Sequence, residues 1–155
     1  MDSDPSTARI HLERAVVAAR AGGSSFVEGI AGASLASLDV RSGNVAGAIA
    51  NYRTLLPLWL RAGVRSPFWT AMRAVADLLT QAGESEPAAL VLGAVLSPSS
   101  GHEVFGDDDE RLSTIRSVLR DRLGGDTLDR LLATGAEMDD AAAAEVAAAA
   151  FDRVD

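Results

Sequence analysis

The sequence has no cysteine and no lysine. The first absence excludes a disulfide framework, a thiolate metal site and a cysteine nucleophile. The second excludes a phosphate-binding lysine of the Walker type. All 14 basic residues are arginine, they face 22 acidic ones, and the formal charge of -8 makes the chain a poor binder of polyphosphate. Aromatic residues are scarce at 5%, although 48% of the chain is hydrophobic, so the core must be built from alanine and aliphatic side chains. No apolar run reaches the length of a membrane span, and no signal-peptide pattern opens the chain. No Gly-x-Ser-x-Gly elbow, glycine-rich phosphate loop or His-Glu-x-x-His pair occurs. With 155 residues the chain can bury a core without staples. These features predict a cytoplasmic, all-α domain that is no enzyme and needs no cofactor or metal. Arginine in place of lysine, with abundant alanine, is also the composition of a high-GC bacterial genome.

Helical spacing dominates the chain. Helices are expected over about Ser6–Arg20, Ser25–Arg41, Val45–Ala62, Ser66 to Gly83 and from Ser85, then Asp107–Leu123, Thr127–Thr134 and Ala141–Arg153. Pro57 inside the third predicts a kink near Arg53–Pro57. Ser66 and Pro67 read as N-cap and first helical residue of the fourth. Ala88 to Leu96 carries no polar side chain and reads as the most buried helix. Gly29 and Gly32 in the second predict close backbone approach. Residues 98–106 read as a loop.

The chain repeats itself. Gly43 and Gly83 are 40 residues apart, as are Ala36 and Ala76, Leu38 and Leu78, Ala48 and Ala88, and Leu56 and Leu96. Tyr52 and Leu92 share a bulky slot. Each unit is a helix, a tight glycine turn and a second helix, with small residues placed for a close crossing. The first helix matches the second helix of a unit, through Ala8, Leu12 and Ala15, but lacks a preceding partner. A lone half unit cannot bury its face, so the chain reads as a fragment of a longer protein, and a symmetric homodimer is a further expectation.

Leu35, Ala36, Ala48, Tyr52 and Leu55, then Met72, Val75, Ala76, Leu79, Ala88, Leu92 and Val95, resemble the tetratricopeptide pattern. The chain departs from it at Gly32, at Asp39 and in the period of 40, against about 34 for the family. The resemblance implies one helical domain over 1–155: tetratricopeptide-like repeats (an α-α superhelix) at 6–97, the loop, and a C-terminal helical cap at 107–154. Helices A of such repeats line a groove, which by register would show Ile30, Ala33, Ser37 and Arg41, then Thr70, Arg73, Asp77 and Gln81, to a peptide or partner helix. The runs Tyr52–Trp69, Glu86–Ala94, Asp107–Arg111 and Leu131–Met138 are similar to the C-terminal helical region of large bacterial LuxR-type transcriptional regulators and of signalling ATPase–cyclase proteins. That likeness implies a non-catalytic interaction and sensing module, bound to a protein segment or to the regulator's other domains, without direct nucleic-acid or membrane binding. The alternative it leaves open is a small-molecule effector domain.

Other constellations have simpler readings. Asp107, Asp108, Asp109 and Glu110 could ligate a divalent cation, but acids at a helix start answer the helix dipole. His102 beside Glu103 has no third group, and His11 falls off its helix's main stripe. Gly22-Gly23-Ser24-Ser25 could hold an anion on its amides or simply link two helices. Arg111, Arg116, Arg120, Arg122 and Arg130 are interleaved with acids and read as a mixed solvated face. Trp59, Phe68 and Trp69 read as core at a joint between units, with an exposed aromatic hot spot as the rival reading.

Overall fold

A helix stops cleanly where one residue turns into the left-handed region, and four glycines do so at even spacing: Gly23, Gly43, Gly63 and Gly83, with φ from +69° to +81°. The computed structural model describes residues 5–23, 25–97 and 107–154. In it the helices after these glycines begin at Ser25, Val45, Arg65 and Ser85, 20 residues apart. The described residues form eight helices and no strand: α1 (Pro5–Ala21), α2 (Ser25–Ser42), α3 (Val45–Ala62), α4 (Arg65–Gln81), α5 (Ser85–Leu96), α6 (Asp107–Leu123), α7 (Gly125–Ala136) and α8 (Asp140–Arg153). None is long and apolar enough to cross a membrane.

The turns at Gly43, Gly63 and Gly83 share one hydrogen-bond pattern. The Gly43 N–H donates to the Val40 carbonyl at 3.2 Å and the Asn44 N–H to the Asp39 carbonyl at 2.8 Å. Gly63 and Val64 repeat this onto Leu60 and Trp59, and Gly83 and Glu84 onto Thr80 and Leu79. Each is a Schellman motif, which satisfies carbonyls that a helix end leaves without partners. The next helix starts one residue later. Ser66 is therefore not the cap of α4: Val64 holds that position without a side-chain hydrogen bond. Pro67 falls in the first turn, where its missing N–H has no helical partner to lose. Likewise α7 is longer than its apolar spacing predicts, because Gly124, at φ +85°, takes the break and leaves Gly125 helical. The helix α8 opens on a side-chain cap, with Asp139 Oδ1 accepting the Ala142 N–H at 2.8 Å.

The chain packs as two compact units, Met1–Leu55 and Leu56–Asp155. The division lies within α3, in the turn where Pro57 lacks the N–H that would reach back toward Arg53. In the first unit α1 packs along α2. Ala36, Val40, Ala48, Ile49, Tyr52 and Leu55 are buried. Asp39 is buried with them, ion-paired to Arg9 of α1 and accepting from Asn44 Nδ2 at 3.1 Å. Asn44 Oδ1 in turn accepts the Gly47 N–H at 3.2 Å. A Cβ on Gly47 would collide with the Asn44 amide and crowd the Asp39 carboxylate, so glycine there makes room for the network. Asp39 thus spends a core position on joining α1 to the α2–α3 turn.

In the second unit α5 packs against α4, α6, α7 and α8. Ala88, Ala89, Val91, Leu92, Gly93, Ala94 and Val95 are all buried, as a helix with neighbours on every side requires. The tightest approach is to α7. A Cβ on Gly93 would run into the Leu132 backbone, and one on Gly135 into the Leu90 backbone, so each glycine faces the other helix's main chain. The expected close approach at Gly32 is different in kind: a Cβ there would meet only the Leu55 side chain, at an ordinary 3.4 Å.

Two stability predictions follow from these backbone contacts. Gly83→Ala forces a Cβ into left-handed geometry and should destabilise by about 1–2 kcal/mol, whereas Gly125→Ala, helical and with open space around it, should leave the thermal midpoint unchanged or slightly higher. Gly93→Ala and Gly135→Ala should each cost about 1–3 kcal/mol through overpacking, outweighing the gain of about 1 kcal/mol in helix propensity. Denaturant unfolding of the four single variants checks both orders.

Candidate functional site

The residues expected to line a groove fall on two helix faces, one in each unit. On α2, Ile30 is 54% exposed, Ala33 and Ser37 are half-buried, and Arg41 is exposed with its guanidinium 3.5 Å from Ser37 Oγ. On α4, Thr70 and Gln81 are exposed and Arg73 and Asp77 half-buried. Gln81 Nε2 donates to Asp77 Oδ1 at 3.2 Å, and Arg111 Nε of α6 lies 4.0 Å from Asp77 Oδ2. Asp77 is therefore engaged within its own unit, and the α4 face is more constrained than the α2 face.

The three aromatics are buried, which overturns the exposed hot-spot reading. Phe68 and Trp69 meet edge to face, with centroids 5.3 Å apart. Trp69 Nε1 donates to Asp140 Oδ1 at 3.1 Å, and Arg65 grips the same carboxylate at 2.8 and 3.1 Å. This clamp fastens the start of α8 to the start of α4. The arginines of α6 also serve the fold. Arg120 lies 3.8 Å from Asp129, and Arg122 donates to the Thr80 carbonyl at 2.8 Å, placing positive charge at the C-terminal end of α4.

A groove that the sequence does not announce opens in the second unit, at the N-terminal end of α5. Its volume is about 600 Å³. Pro87 and Leu90 of α5, Leu131 of α7, and Val146 and Ala149 of α8 give it apolar walls, while Glu84, Ser85, Glu86 and Arg153 form the polar rim. Leu90 on its wall is also the residue whose backbone faces Gly135 at the α5–α7 crossing. Arg153 Nε bridges the rim to Glu84 Oε2 at 3.1 Å. This groove was missed because its walls come from three separate helices, and each wall reads alone as ordinary core.

His11 is exposed on α1, and Asp109 and Glu110 are exposed at the start of α6. His102, Glu103, Ser24, the 98–106 loop and the side chains of Ser25, Asp107 and Asp108 lie outside the described residues, and with them the proposed anion and cation readings. Among the described residues no group of three or more histidine, aspartate or glutamate side chains is placed to hold a metal. No protein-family model, curated protein or solved structure matches the chain.

The Asp140 carboxyl is held below the ordinary carboxylate range, chiefly by the Arg65 hydrogen bonds, partly opposed by its desolvation. A lowered folded value means that the unfolded chain binds the proton more readily. The clamp's stabilisation is then full above the ordinary range and is lost as pH falls through the lowered value. Asp140→Asn should melt below the wild type at neutral pH, and the gap should close as the pH falls below the ordinary carboxylate range. Parallel thermal melts of the two proteins across that range test it.

Proposed function

We propose that the chain is a non-catalytic interaction and sensing module of a multidomain bacterial transcriptional or signalling regulator, working in the cytoplasm. One observation carries this reading: α2 to α5 start 20 residues apart, and the turns before α3, α4 and α5 share one hydrogen-bond pattern. Evenly repeated helical hairpins are the building plan of repeat modules, whose exposed helix faces take partner segments. The tetratricopeptide-like spacing supports the same reading. Ala36, Ala48, Ala76 and Ala88, the small residues of that spacing, are fully buried, and so are Tyr52 and Leu92 in the bulky slot. So does the likeness of the 52–69, 86–94 and 131–138 runs to LuxR-type regulators.

The α2 face is the stronger partner surface, since it pairs an exposed isoleucine with an exposed arginine. A bound segment would act on a neighbouring domain only by binding one of its states more tightly than another. A display selection of random peptides on the immobilised chain tests the reading. Related peptides should emerge, and Ile30→Glu with Arg41→Ala should weaken them about tenfold, or about 1.4 kcal/mol. A selection that yields no related peptides would sink it. A dose-dependent rise in melting temperature with a nucleotide, sugar or metabolite would point instead to an effector-binding domain of such a regulator.

A further inference from the structure

We infer that the groove at the N-terminal end of α5 is a docking site for a short aliphatic protein segment that carries a basic residue. The inference rests on the reading of the chain as an interaction module, but it concerns a surface separate from the α2 and α4 faces. The groove's volume of about 600 Å³ falls within the usual range of binding pockets, about 300–1,000 Å³. Its apolar walls are aliphatic throughout, so the body of the occupant is aliphatic as well. From Val146 to Arg153 the α8 wall runs about 10 Å at the helical rise. That is room for about three extended residues or two turns of helix.

Charge selects the rest. The amides at the start of α5 would by themselves favour an anion, but Glu84 and Glu86 stand at that helix end. An anionic ligand would meet both carboxylates. Glu84 is only 19% exposed and already holds a guanidinium, that of Arg153. The rim is thus built to receive an arginine, and the chain's own Arg153 occupies the place in part. Glu86 is exposed and offers a second carboxylate to an incoming cation. The net charge of -8 favours the approach of a basic partner. An open groove with walls on three helices suits a chain segment better than an enclosed metabolite does.

The test uses the whole chain and a pool of random dodecapeptides displayed on phage. The pool is first depleted on an Ala149→Arg variant, which fills the groove from an exposed position on α8. Peptides then enriched on the wild type should carry arginine or lysine beside leucine, isoleucine or valine. Glu86→Arg should weaken them at least tenfold, and added salt should weaken them further. Arg153→Ala should tighten them several-fold by freeing Glu84. Arg153 is itself about half exposed, so its loss should leave the melting temperature nearly unchanged. Enriched peptides that are acidic or lack a basic residue would overturn the proposal. Weaker binding by Arg153→Ala would also overturn it, because Arg153 would then contact the ligand instead of competing with it. Peptides that bind Ala149→Arg as well as the wild type would remove the groove while leaving the interaction module standing. No enrichment on any surface would remove both.

Discussion

The left-handed glycine turn is the constraint on which the rest depends. A hairpin of two helices needs one residue that reverses the chain without leaving carbonyls unpaired, and glycine at φ near +75° does both at once. Because the following residue already stands at the cap of the next helix, the connection has no slack. Helix starts are then fixed by where the glycines lie, and the glycines lie 20 residues apart. Capping side chains become optional: Asn44 caps α3, while Val64 and Glu84 leave their helices without a side-chain cap. This is why the Ser-Pro signal at 66–67 misplaced the start of α4. A local propensity gave way to a turn that had already set the boundary.

Burial was the most legible property of the sequence. The polar-free run at 88–96 names α5 as the central helix, and the structure surrounds it with four others. What the run could not convey is how α7 lies against it. Gly93 reads as a helix-interior glycine, with the same propensity penalty as Gly32, and Gly135 falls just past the expected helix end at Thr134. Only the facing main chain distinguishes them, and that chain belongs to a helix some 40 residues away. Spacing within one helix reports which face is buried. It says nothing about how near the neighbouring backbone comes.

The departures from the repeat pattern have physical causes of their own. Asp39 stands where a bulky residue is usual, and it is buried all the same. Its carboxylate is matched by Arg9 from α1 and by Asn44 in the turn, and Gly47 clears the space that this needs. A buried carboxylate is tolerable only with its hydrogen bonds made. The cluster therefore couples a residue 30 positions upstream to the turn after α2. The Asp140 clamp has the same logic across 75 residues, from Arg65 to the start of α8. In both cases the sequence displays the charges but not their partners, because ion pairs of this separation leave no periodic trace.

The candidate sites divide along the same line. The α2 and α4 faces were readable because a helix face repeats every three or four residues, so its exposed members are implied once the buried ones are known. Even there, the engagement of Asp77 with Arg111 could not be read, since it depends on where α6 lies. The groove beside α5 has no such periodic signature. Its walls come from three helices, and its charge from residues at a helix start and a helix end. The rim also corrects a simpler electrostatic expectation. A helix N-terminus ordinarily invites an anion, yet here the two glutamates reverse the local sign, and Arg153 partly satisfies it from within the chain. A surface that holds its own cation in the place of an external one is already set for exchange, because an incoming arginine replaces one ion pair with another and adds the burial of its aliphatic neighbours.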